Sequence, residues 1–300
     1  MSGPLFAHAL DARVLGWWSW NPLVSIPLAI STLLYGRGVE ELRDHGHPVR
    51  WWKPIAFGAG VLTVVIALLS PLDALSDLLF SAHMTQHELL MIVAPPLLVS
   101  ARPLVPMLFG MPPRWRARVI AIVKRDAVDR AWRALTHPFV ALVLHGVVLW
   151  IWHAPMFFEG AMRHPAIHAV QHASFFFTAG FFWWGLVHGR YGRAGYGLAV
   201  LYVFATSLHS SVLGALLTIG AKLWYPIYRD RGVSIGIDPL ADQTLAGLLM
   251  WIPAGALLVV VALALFAAWL GEAERRMQRH RLFAPASRLD AAAIARTEDA

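Results

Sequence analysis

The chain has 300 residues, of which 58% are apolar and only 14% charged, against roughly a quarter charged in soluble domains. That balance excludes an ordinary soluble domain, and the absence of cysteine removes disulfides, thiolate metal sites and CxxC redox motifs. A net charge of +7 and a pI near 10.2 would ordinarily raise nucleic-acid binding, but the placement of the basic residues points elsewhere.

Seven windows are apolar and long enough to cross about 30 Å of hydrocarbon. They run over 17–36, 54–72, 79–100, 138–154, 167–188, 197–220 and 243–270, which predicts an all-α polytopic bundle of seven transmembrane helices. Met1 to Gly16 carry no basic n-region with a cleavage site, so they are expected to form a short external tail. Residues 17–270 then make one membrane domain, followed by a polar, basic cytoplasmic tail over 271–300. Pro54 and Pro138 suit helix starts. Pro95 and Pro96 should kink or end the third span. Trp17, Trp18, Trp20, Trp51, Trp52, Trp183, Trp184 and Trp224 are expected mostly at the membrane interfaces. Gly195, Gly197 and Gly214 are expected at close helix contacts.

Orientation follows from Lys and Arg. With the N-terminus outside, the segments 37–53, 101–137, 189–196 and 271–300 face the cytoplasm and hold 20 of the 25 basic residues. The external segments hold Arg13, Arg163, Lys222, Arg229 and Arg231. The C-terminus is therefore cytoplasmic. The loop from Arg114 to Arg133 is expected to meet anionic lipid headgroups, and nucleic acid is not an expected partner.

The informative stretch is His83-Met84-Thr85-Gln86-His87-Glu88-Leu89-Leu90-Met91. Two His at i and i+4 share one helix face, as metal-chelating pairs do, and ionisable groups at membrane depth are costly unless functional. His168 and His172 repeat the spacing on the fifth span. Under the orientation above, His83, His87, His153, His168, His172 and His209 fall at roughly one depth in the outer half. Met84 and Met91 are candidate thioether ligands, although packing explains either one alone. Gln86, Glu88, Asp242 and Gln243 are candidate supporting polar groups, with Glu88 placed to orient an imidazole or relay protons. His145 reads as a hydrogen-bonded interhelix residue, and His8, His45, His47, His164 and His280 as solvated.

Imidazole with thioether nearby favours copper, as Cu(I), over hard cations that prefer oxygen. Haem is the rival, but paired His on one turn fit a small ion better. No catalytic triad, phosphate loop or carboxylate pair stands out, and the protein is not expected to be an enzyme.

These residues resemble the CtaG-type cytochrome c oxidase assembly factors, seven-span, cysteine-free bacterial membrane proteins. The resemblance rests on Ser81-Ala82-His83-Met84 through Met91, Ala94-Pro95-Pro96-Leu97 and Trp152-His153-Ala154-Pro155. It continues through His168-Ala169-Val170-Gln171-His172, Leu208-His209, Trp224-Tyr225-Pro226 and Asp238-Pro239-Leu240-Ala241-Asp242-Gln243 to Trp251-Ile252-Pro253. It implies a protein of the bacterial plasma (inner) membrane that matures a haem–copper oxidase by delivering copper to a client subunit. A copper transport or resistance protein and a b-type haem electron-transfer protein are the alternatives.

Overall fold

The computed structural model describes residues 17–189 and 195–282, and the described residues are helical, with no strand. In chain order the helices are α1 Pro22–Asp44, α2 Trp52–Leu68, α3 Pro71–Leu78, α4 Phe80–Glu88 and, after a π-helical turn Leu89–Val93, α5 Ala94–Ala101. They continue as α6 Leu104–Gly110, α7 Pro113–Val123, α8 Asp126–Leu135, α9 Pro138–His153 and α10 Pro155–Arg163. The remainder are α11 Pro165–His188, α12 Gly195–Ile219, α13 Ile227–Ser234 and α14 Pro239–Leu282.

Among the described residues three helices, α1, α12 and α14, are long and apolar enough to cross a bilayer, and up to six spans result if each bent pair counts as one. The pairs are α2 with α3 (bent 42°), α4–α5 with α6 (62°) and α8 with α9 (68°). α11 has 24 residues but is not among them; it is the helix that carries His168, Gln171 and His172.

Local chemistry moves several expected boundaries. α1 begins at Pro22 rather than residue 17, because the Asn21 side chain accepts from the Leu23 amide at 3.0 Å and Pro22 needs no amide partner. It runs past residue 36 to Asp44, and the chain then turns at Gly46 with φ +78°. α14 likewise continues beyond residue 270, to Leu282. The kink expected at Pro95 is a π-helical turn just before it. Proline removes the donor that would have reached the Met91 carbonyl, and the Trp183 indole N–H takes that carbonyl at 2.9 Å. Trp183 is therefore a core residue, 4% exposed, not an interface anchor.

The most extensive helix pairing joins α12 and α14. A Cβ on Gly247 would lie 2.4 Å from Thr218 Oγ1, and one on Gly214 would lie 2.8 Å from Trp251 Cβ, so small residues let these backbones meet. Gly195 and Gly197 face nothing within 4 Å. The buried residues of α1, Tyr35, Gly38 and Leu42, lie in its second half, with Gly38 against the Pro106 carbonyl, while Val24 and Leu28 of the first half pack partly buried against Val64, Ala67, Leu90 and Ala94.

The short helices α3, α10 and α13 gather at one end of the bundle. There the Tyr228 hydroxyl donates to the Ser76 carbonyl at 2.9 Å, the Tyr225 hydroxyl to the His153 carbonyl at 2.7 Å, and Arg231 Nη1 to the Asp77 carbonyl at 2.8 Å. Beneath them Phe80, Phe158, Tyr225 and Tyr228 form a buried aromatic cluster, with Phe158 and Tyr225 stacked at 4.0 Å. At the opposite end α7 and α8 bury no residue at all.

Candidate metal centre

α4 presents His83 and His87 from a helix whose start is built by a distant residue. Leu79 enters in extended conformation and the helix has no side-chain cap from its own chain neighbours. Asp242, in the first turn of α14, supplies one: its carboxylate accepts from the Phe80 amide at 2.7 Å, the Ser81 amide at 3.3 Å and the Ser81 hydroxyl. A carboxylate there satisfies otherwise unpaired amides and suits the positive end of the helix dipole. Gln86 fixes the same helix sideways, donating to the Ala67 carbonyl at 2.7 Å and to Asp73 Oδ1 at 3.0 Å.

His153 closes α9, and His168 and His172 open α11. All five imidazoles converge. Ring centroids are 4.4 Å apart for His83–His87, 4.2 Å for His168–His172, 5.1 Å for His83–His168 and 5.3 Å for His87–His172. His153 joins through His87, at 5.8 Å. Within this group His83, His168 and His172 each offer a ligand nitrogen, all within 4.8 Å of one another. Phe158, 5.1 Å from His83, and Phe175, 4.6 Å from His87, wall the cluster, and both rings are fully buried.

The donor set fits a metal ion on its unmet valences. Both ring nitrogens of His83 and of His87, and Nε2 of His153, His168 and His172, are buried without a hydrogen-bond partner among the described residues. Buried polar atoms are normally paired, so seven orphaned nitrogens in one place call for an explanation. The tautomer of His153 is settled by its neighbour: Nδ1 lies 2.8 Å from the Leu149 carbonyl, which only accepts, so Nδ1 carries the hydrogen. Its neutral ring therefore turns a bare Nε2 lone pair inward, the form a metal takes.

The other candidates go elsewhere. His209 packs on α9, with Nε2 3.4 Å from where a Gly146 Cβ would sit, and no ring contact joins it to the five. Neighbouring His145 is the interhelix hydrogen-bonded residue its position suggested. Thr178 Oγ1 donates its single hydrogen to the Ser174 carbonyl at 2.7 Å, so it accepts from His145 Nδ1 at 3.1 Å. Met84 and Met91 are buried in the main apolar cluster. Gln243 holds the loop before α13, accepting from the Trp224 amide at 2.7 Å and donating to the Lys222 carbonyl at 3.1 Å. Glu88 Oε2 is buried with no partner among the described residues and no imidazole donates to it. His45, His47, His137 and His164 are exposed; His8 and the side chain of His280 lie outside the described residues. Sequence reasoning missed the walls, Phe158 and Phe175, because an aromatic in an apolar window carries no periodic signal of its neighbour.

Two cavities meet at this cluster. One, about 480 Å³, is polar and lies at the capped end, with Asp77, Met162, Arg163, Pro165, His168 and Arg231 around it. The other, about 500 Å³, lies between α1, α2 and α11, lined by apolar side chains such as Val24, Leu28, Leu90 and Phe177 and by His168 and His172.

The family model for the cytochrome c oxidase caa3 assembly factor (Caa3_CtaG) matches residues 33–272. The chain belongs to that family. Uncharacterized proteins of Mycobacterium bovis and Mycobacterium tuberculosis are each 26% identical over 282 residues, 90% of this chain and 42% of theirs. One of Mycobacterium leprae is 23% identical over 279 residues, 88% of this chain and 41% of its own. The chain thus spans about two-fifths of the length of the curated relatives it matches. No solved structure matches. All five clustered histidines fall inside the family match.

Proposed function

We propose that this chain assists assembly of a haem–copper terminal oxidase by holding copper, as Cu(I), at His83, His168 and His172 and handing it to an oxidase subunit. The observation that carries the reading is the group of buried, unpartnered imidazole nitrogens in an assembly-factor family member. A set of neutral imidazoles without thiolate or carboxylate suits a borderline or soft ion. His87 and His153 stand ready as replacement ligands, so the ion is passed by stepwise exchange, each imidazole leaving as an acceptor's arrives. Nothing in this role requires catalysis.

The proposal includes a topology. The seven spans are α1, α2, α4–α5, α9, α11, α12 and α14, in a bacterial plasma (inner) membrane, with the N-terminus and the His cluster on the external side. The basic α7–α8 hairpin lies at the cytoplasmic surface against anionic headgroups. Its exposed Trp115, Ile122 and Val128 beside Arg114, Arg118 and Arg130 support an interfacial seat.

A deletion strain tests the assignment. Oxidase polypeptides should be made but poorly metallated, with cytochrome c oxidase activity lowered, copper tolerance near normal and partial rescue by added copper. Copper sensitivity with normal oxidase activity would identify an exporter instead.

A further inference from the structure

We propose that Asp77 forms the loading port of the His cluster: its carboxylate draws the cation into the polar cavity and delivers it to His168, which acts as the first ligand. The proposal rests on the metal-binding reading above and adds the direction of entry and the residue that governs its rate.

Three observations carry it. First, His168 is the half-buried member of the three-His group, while His83 and His172 are buried; an ion arriving from water meets it before the others. Second, His168 and Asp77 line the same polar cavity of about 480 Å³, and His168 Nε2 has no hydrogen-bond partner among the described residues. Third, the charges in that cavity are sorted. Arg163 is engaged by Glu159 at 2.7 Å, and the Arg231 hydrogen bond goes to the Asp77 backbone carbonyl rather than its carboxylate. No ion pair or hydrogen bond occupies the Asp77 carboxylate among the described residues. It is exposed, so it is free to attract a cation, while Arg231 opposes one.

The physical effect is steering rather than holding. An exposed carboxylate lining the cleft raises local cation concentration and the association rate, and salt screens this effect. Once the ion has passed to three buried imidazoles, Asp77 contributes little to equilibrium affinity.

The test is stopped-flow loading of Ag(I), a Cu(I) surrogate, onto the detergent-purified full chain in chloride-free buffer, read by tryptophan fluorescence, beside an equilibrium titration. Asp77→Asn should slow loading by about 3- to 10-fold at low ionic strength, with the difference shrinking as sodium nitrate is raised and the dissociation constant unchanged within twofold. Arg231→Gln should speed loading, an opposite sign that a merely structural role for this corner would not give. Equal rates for wild type and Asp77→Asn, or an Asp77→Asn defect unchanged by salt, would overturn the port while leaving the metal centre intact. A wild-type chain that takes up no Ag(I) would overturn the metal centre and the port with it.

Discussion

At the residue scale the site is a problem of unmet valence. His83 and His87 sit 0% and 1% exposed with both ring nitrogens unpartnered, a cost that a bound ion would lower by taking the bare nitrogen of each ring it ligates. Replacing His83 or His172 with Ala should weaken Cu(I) binding by more than about 10-fold, since even loss of a group supporting a ligand costs that much. His45→Ala and His137→Ala, at exposed positions, should leave it unchanged, as competition against a chromogenic Cu(I) chelator would show. Ligation needs the neutral ring, so protonation competes with the metal, and binding should weaken as the pH is lowered into the acid range. Four of the clustered histidines were legible from their i,i+4 pairs, and His153 from its place at the end of an apolar window. His209 was not separable from them, because sequence gives a residue's depth along a helix but not which neighbour its face meets.

At the element scale the site depends on how α4 is held. Asp242 is far away in sequence, and its place at the start of a span identified it as a supporting group. Its partner was not legible, since it caps the backbone of Phe80 and Ser81 instead of orienting an imidazole. Asp242→Ala should cost about 1–2 kcal/mol through the lost cap, lowering the thermal midpoint in detergent and weakening metal binding together. Gly38 provides the contrast. A Cβ there would lie 1.7 Å from the Pro106 carbonyl oxygen, so Gly38→Ala should part α1 from α6 and lower the thermal midpoint. Metal stoichiometry should not change, because Gly38 lies among none of the clustered histidines. The π-helical turn was half legible: Pro95 announces a break, but the donor that relieves it, Trp183, resembles any other aromatic of an apolar window.

At the scale of the whole molecule, the all-helical membrane class was legible from composition, because too few charged residues remain to clothe a soluble surface. Span boundaries were less so, since α1 and α14 continue as helices past their apolar windows. The proposed orientation predicts that a reporter active only in the periplasm works when fused near Asp77 or Arg163 and fails after Lys124. Activity at Lys124 would put the His cluster on the wrong side of the membrane for external loading. The central claim is that the clustered imidazoles hold copper, and the most direct measurement is metal content. Full-length protein, purified in detergent after anaerobic loading with Cu(I) and desalting, should retain copper, and the His83→Ala/His168→Ala/His172→Ala chain should retain far less while keeping its helical circular-dichroism spectrum. Equal copper content in the two folded chains would contradict it.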